Sequence, residues 1–204
     1  MLDGNLRTAV DRALIPIGRG LQRIGVTADV VTIIGIVMSG AAAVAIGRGS
    51  LLLGFILLIL TGIPDALDGA VAKAAGTSSK RGAFFDSVSD RLTDALLFGG
   101  LAWHYATTRP DHLMMLPVAV MASAQIISYQ RAKAELLGYE AKGGVMERAE
   151  RFIVLALGLL LSVLIGDDAL LVVLWIMLVL TLITAIQRFI KVWIQATAEQ
   201  KEGL

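Results

Sequence analysis

Four aspartates, Asp65, Asp68, Asp86 and Asp90, fall inside or at the edge of two long apolar stretches, in the pattern D-x-x-D-G-x-x-A-K…G-x-x-x-D-x-x-x-D. A carboxylate in a bilayer-spanning helix costs roughly 2.5–3.5 kcal/mol on insertion scales, so four in isolation would cost about 10–14 kcal/mol. Such a set demands compensating positive charge. Asp65 and Asp68 stand i,i+3 and Asp86 and Asp90 stand i,i+4, so each pair projects from one face of its helix. Two such faces turned towards each other would form an all-oxygen cage suited to one or two Mg²⁺ ions, or to Mn²⁺. Gly69 and Ala72 follow the first pair where small side chains permit close approach, Lys73 adds a cation one turn after Gly69, and Gly82 precedes Asp86 by four residues. Phosphates on the metals and a flat group over the small residues would suit this arrangement.

The elements that carry these residues belong in lipid. Of 204 residues, 56% are hydrophobic and only 17% charged, the balance of a polytopic membrane protein. The absence of cysteine excludes disulfides, thiolate metal sites and cysteine nucleophiles. The only histidines are His104, at a helix end, and His112, in a loop, which points to structural or interfacial roles and away from zinc or triad chemistry. Six apolar stretches approach the roughly 20 residues a crossing needs. They run over Val30–Gly47, Leu51–Ala75, Ala83–Thr107, His112–Leu137, Phe152–Gly166 (beginning as early as Met146) and Ala169–Trp193, separated by turn-prone breaks. The expected fold is an all-α integral membrane protein of six transmembrane helices behind an N-terminal cytoplasmic amphipathic helix.

Six spans put both termini on one side. That side carries sixteen of the eighteen Lys and Arg residues, all but Arg48 and Arg109, so it is expected to be cytoplasmic and to hold the acidic motif. Before the first span, Leu2, Leu6, Val10, Leu14, Ile17, Leu21 and Ile24 recur at helical spacing among Arg7, Arg12, Arg19 and Arg23. This predicts an amphipathic helix over 1–26 lying on the anionic leaflet, bent or divided at Pro16. It lacks the cleavage signature of a signal peptide and is expected to be retained. Residues 27–195 would form the catalytic membrane domain and 196–204 a polar cytoplasmic tail.

The segment Asp65, Asp68, Gly69, Ala72, Lys73, Gly82, Asp86, Asp90 resembles the signature of the CDP-alcohol phosphatidyltransferase family, with Lys73 where arginine is usual. The exchange keeps the charge and loses the bidentate fork. The resemblance implies transfer of a phosphatidyl group from a CDP-linked lipid to an alcohol with release of CMP. The first three aspartates would hold metal, and Asp90 would take the proton from the attacking hydroxyl, ligate metal, or do both. It also implies that Asp29, Val30, Val31 and Thr32 help bind CDP-diacylglycerol, with Ser79 as a nucleotide contact beside Gly69, Ala72, Lys73 and Gly82. Read without the family, Asp29 is an N-cap of the first span. A homodimer is the family's expected assembly.

The second half of the chain bears on the acceptor. Arg131 and Lys133 in SYQRAKAE, Arg148 and Arg151 in MERAERF and Arg188 in AIQRF gather cations at the helix ends on the side of the acidic motif. Such residues either snorkel to headgroups or line a pocket for a phosphorylated acceptor. VTADVVTIIG, SYQRAKAE, ERAER and QR are similar to stretches of actinobacterial phosphatidylinositol phosphate synthases, a branch of the same family. That likeness implies myo-inositol phosphate as acceptor, held by Arg131, Lys133, Arg151 and Arg188. Phosphatidylglycerophosphate synthase is the alternative within the family, since spacing and charge alone do not separate the two acceptors. A cation transporter is the alternative outside it, but the four signature aspartates fall within 26 residues and no inverted repeat accompanies them. Membrane lipids and the two substrates are the expected partners, and no nucleic acid.

Overall fold

The computed structural model describes residues 16–75, 79–109 and 112–202; the side chains of residues 66, 68–70 and 72–75 lie outside that description. Every regular element among the described residues is an α-helix. α1 is described over 16–23, followed by α2 (Ala28–Gly47), α3 (Leu51–Ala75), α4 (Lys80–Thr108), α5 (Met115–Leu136), α6 (Arg148–Ile165) and α7 (Asp167–Glu202). α2 to α7 coincide with the six apolar stretches. Among the described residues, Ala28–Gly47 and Asp167–Lys201 are long and apolar enough to cross a bilayer, and Leu51–Asp65 is a shorter apolar run. Of the expected amphipathic helix, Ile17 and Ile24 are exposed within or just beyond α1. Residues 1–15, and with them the bend at Pro16, lie outside the described residues.

The chain forms two compact units, Met1–Gly100 and Leu101–Leu204, with the boundary inside α4. In the first, α2 begins at Thr27, whose extended backbone and Oγ1, accepting from Val30 N at 3.4 Å, cap the helix. The cap is therefore Thr27, and Asp29 sits in the first turn, where a carboxylate favours the helix dipole. Small residues set how closely the helices approach. A Cβ at Gly100 would stand 2.5 Å from the carbonyl oxygen of Ala43, so α4 rests directly on the backbone of α2. Gly35 meets Pro64 of α3 in the same way, its added Cβ only 3.2 Å from the proline ring. Pro64 lacks the N–H that would bond to Leu60, which loosens α3 one residue before Asp65.

In the second unit, Leu116, Val120 and Ile127 of α5, Leu155 and Leu159 of α6 and Leu170, Leu174 and Met177 of α7 are buried. At one helix end, the nearly buried His104 places Nε2 3.2 Å from Asp167 Oδ1, while Arg109 donates to Asp168 at 2.5 Å. The structural role expected for His104 is thus met by the first turn of α7. The break expected across Gly166-Asp167-Asp168 narrows to Gly166, because both aspartates enter the helix.

α7 also runs through Glu202, so residues 196–202, expected as a polar tail, are its last turns. Their polarity has a use. Thr184, Arg188, Lys191, Gln195 and Glu199, spaced 4, 3, 4 and 4, share one face of α7 and fasten the loop between α5 and α6. Met146 N donates to Thr184 Oγ1 at 2.9 Å, Lys191 Nζ to Lys142 O at 3.1 Å, Glu140 N to Gln195 Oε1 at 2.9 Å and Tyr139 Oη to Glu199 Oε2 at 2.5 Å. Hydrogen bonding to Glu199 raises the pKa of the Tyr139 phenol.

Adjacent glycines test the packing of the first unit. Gly99 has nothing within 4 Å of an added Cβ, so Gly99→Ala should leave thermal unfolding in detergent unchanged or slightly raised. Gly100→Ala should lower stability by about 1–3 kcal/mol, the usual cost of overpacking against backbone. Equal melting temperatures for the two variants would refute the close approach of α4 to α2.

Candidate active site

Pro64 and the first turns of α4 set the acidic motif. Asp65 follows the proline on α3, while Asp86 and Asp90 lie one turn apart on α4. One ligand oxygen from each of the three approaches the others to within 4.8 Å. Octahedral Mg²⁺ holds its ligands at about 2.0–2.1 Å, so two oxygens of one ion stand at most about 4.2 Å apart. The three carboxylates need only a small closure to share an ion, and all are hard oxygen donors, so the residues fit the expected metal. Asp65 and Asp86 are exposed and Asp90 half-buried, which leaves the group open to a soluble reactant. The structure thus brings together three of the four predicted ligands. The side chain of Asp68 lies outside the described residues, as do those of Ala72 and Lys73; Gly69 has helical backbone.

Two arginines of α4 flank the acidic group in sequence. Arg81 pairs with Asp29 at 2.6 Å, joining the start of α4 to the start of α2. Arg91 donates to Ser87 O at 2.7 Å and stands 3.6 Å from Asp90. The Arg81 pair is exposed and contributes little to stability, but it brings the segment around Asp29 to the N-terminal turn of α4. Thr32 Oγ1 donates to Ala28 O at 3.0 Å, while Val30 is exposed and Val31 buried. Ser79 caps α4, its Oγ accepting from Gly82 N at 3.1 Å. Among the described residues, a Cβ added to Gly82 would meet only that Oγ, at an ordinary 3.5 Å. Packing among the described residues therefore does not require glycine there.

The four basic residues expected at the acceptor divide into two kinds. Arg131 and Lys133 are exposed on the last turns of α5, and Arg131 Nε donates to Glu135 Oε1 at 2.9 Å. Arg151 and Arg188 are each only 4% exposed. Arg188 donates to Gly143 O at 3.0 Å, to Ile127 O at 3.1 Å and to Glu147 Oε1 at 2.5 Å, tying α5, α7 and the intervening loop together. The acidic partner of Arg188 is a functional residue that hydropathy and cation counting do not single out. Glu147 stands inside the quoted MERAERF block, and its interleaving with Arg148 and Arg151 was the available signal.

The chain can be set beside known proteins at this point. A phosphatidylinositol phosphate synthase of Mycobacterium marinum is 38% identical over 192 residues, covering 92% of this chain and 82% of that protein. The Mycobacterium tuberculosis enzyme of the same name is 36% identical over 192 residues, covering 92% of this chain and 88% of that protein. Its crystal structure with CDP-DAG bound superposes with a TM-score of 0.84 at 37% identity, covering 89% of this chain and 94% of that one. A second crystal structure, in complex with manganese and citrate, gives 0.83, with 88% of each chain covered. The sequence profile of CDP-alcohol phosphatidyltransferases matches residues 25–191, which takes in α2 to α6, most of α7 and all three converging carboxylates. The chain belongs to the CDP-alcohol phosphatidyltransferase family.

Proposed function

We propose that this chain is a phosphatidylinositol phosphate synthase, moving the phosphatidyl group of CDP-diacylglycerol onto a hydroxyl of myo-inositol phosphate with release of CMP. The observation that carries the reading is the convergence of Asp65, Asp86 and Asp90 from two helices, in a chain alike over nine-tenths of its length to enzymes of that name. As a family member it is a divalent-metal-dependent transferase of phospholipid synthesis. Asp65, Asp68, Asp86 and Asp90 would hold Mg²⁺, with Mn²⁺ as a substitute. When bound, the metal supplies positive charge against the pyrophosphate and the departing CMP.

The protein's own residues do the rest. Gly82, which packing among the described residues does not require, would leave room for the nucleotide at the start of α4, with Ser79, Gly69, Ala72 and Lys73 as further contacts. Asp29, held by Arg81, with Val30, Val31 and Thr32 would border the lipid-linked donor. Asp90 is the half-buried member of the acidic group and would accept the proton of the attacking hydroxyl at a carboxylate oxygen, in addition to ligating. Arg131, Lys133, Arg151 and Arg188 would take the acceptor's phosphate. Six crossings by α2–α7, both termini and the acidic group on the cytoplasmic side, and a homodimer complete the reading. Support comes from the charge asymmetry and from outward-facing apolar side chains such as Val37, Ile63, Trp175, Ile176 and Phe189. Residues 1–26 would lie on the membrane surface and 27–195 would form the catalytic bundle, with the last turns of α7 beyond it.

Purified protein given Mg²⁺ and CDP-diacylglycerol should release CMP with myo-inositol phosphate, and not with glycerol phosphate or free inositol. Turnover with glycerol phosphate alone would move it to phosphatidylglycerophosphate synthesis. Asp86→Asn should reduce turnover with every acceptor by at least about a hundredfold; near-normal turnover would overturn the metal assignment. Gly82→Ala should fold with unchanged or higher stability yet raise the KM for CDP-diacylglycerol at least about fivefold, because only a ligand meets the new methyl. An unchanged donor KM would remove Gly82 from the nucleotide site.

A further inference from the structure

Arg188 is 4% exposed, and among the described residues its anionic partner is Glu147, whose side chain is 39% exposed. Two donors converge on one oxygen of that carboxylate: Arg188 Nη2 at 2.5 Å and the backbone N–H of Gly143 at 3.1 Å. A guanidinium N–H and a main-chain N–H aimed at one oxygen form the kind of cradle that also accepts a phosphate oxygen. The cradle is built rather than incidental. Arg188 is held by Gly143 O and Ile127 O, and the loop is pinned by Thr184, Lys191, Gln195 and Glu199. Both φ angles of Gly143 and Gly144 are positive, at 96° and 145°, a backbone that glycine adopts without strain.

We propose that Glu147 is a resident anion that fills a phosphate cradle made by Arg188 and Gly143 N–H, and that the acceptor's phosphate must displace it. The inference rests on the acceptor assignment above. With the site empty, the carboxylate keeps a buried guanidinium compensated, which avoids the heavy cost of an uncompensated charge. Phosphate, carrying more charge and more acceptor oxygens, can take its place, whereas a neutral polyol cannot. Glu147 is the first residue before α6 and makes no capping hydrogen bond of its own, so its side chain can swing out without undoing the helix. Selectivity for a phosphorylated acceptor then comes from the need to evict a carboxylate as well as from attraction to cations.

Inorganic phosphate is the probe. In steady-state assays of the full chain with Mg²⁺ and CDP-diacylglycerol, phosphate should inhibit competitively against inositol phosphate. Glu147→Gln keeps an oxygen for both donors and removes the charge. It should lower the phosphate Ki and the acceptor KM together by about fivefold, with the change in KM and not in kcat. Glu147→Asp keeps the charge and a favourable N-cap residue but is one methylene too short to reach Arg188, so it should shift both constants in the same direction. It also serves if the glutamine variant does not fold. Phosphate competition that is equal in wild type and both variants would overturn the role of Glu147 and leave the acceptor site standing. A wild-type protein whose acceptor kinetics ignore phosphate would overturn the acceptor site itself, and the Glu147 inference with it.

Discussion

Like charges brought together in an apolar bundle are the constraint from which the first unit follows. At an effective dielectric of about 20, two unit charges at the 4.8 Å limit that bounds the grouped carboxylate oxygens repel by about 3.5 kcal/mol. Two such pairs, Asp65 with Asp86 and Asp65 with Asp90, would push α3 and α4 apart unless positive charge sits between them or packing holds them. The packing is visible. Gly100 lets α4 press on the backbone of α2, and Gly35 admits Pro64. Arg81 with Asp29 closes the far ends of the same two helices. α2 therefore serves as the brace against which the two acid-bearing helices are set, and a divalent ion held by the carboxylates would add compensating charge.

The second unit solves the opposite electrostatic problem. Its conspicuous charges are cations, two of them, Arg151 and Arg188, nearly buried, and the burial of Arg188 is answered by main-chain carbonyls and a carboxylate. Arg188 shows the pattern most fully, with Gly143 O, Ile127 O and Glu147 around one guanidinium. Burial of this kind is costly unless every donor direction is used, and it rewards geometry over charge. A lysine, with its donors on a single nitrogen, could not make the same three bonds to α5 and to two points of the loop. The polar face of α7 continues the theme, converting what a hydropathy reading treats as the end of a span into a rail for the loop.

How much of this the sequence disclosed depends on whether the signal was periodic or pairwise. Helical periodicity and hydropathy located α2 to α7 to within a few residues except at the end of α7, which runs nine residues past Trp193, and the i,i+3 and i,i+4 aspartates announced a shared face that the structure supplies for Asp65, Asp86 and Asp90. Pairwise matters were hidden. Nothing local says that Thr27 caps α2 ahead of Asp29, that Ser79 spends its hydroxyl on Gly82 N–H, or that Glu199 reaches Tyr139 across sixty positions. That residues 196–202 continue α7 was hidden for the same reason. Polar composition describes a solvated segment and a hydrogen-bonding helix face equally well, and only the partner distinguishes them.

Ser79 shows why a cap and a ligand contact need not compete. An N-cap hydroxyl already points along the N-terminal N–H groups of its helix, which is also where a phosphate or a nucleotide's polar edge is best received. Gly82, the donor to that hydroxyl, carries no side chain and is not forced by packing to lack one. The start of α4 thus combines a helix N-terminus, a small-residue opening and, one and two turns later, Asp86 and Asp90. A nucleotide seated there would have its phosphates carried towards the carboxylates by the helix itself. The spacing from Gly82 to Asp86 to Asp90, four residues per step, keeps all three positions on one stripe of the helix.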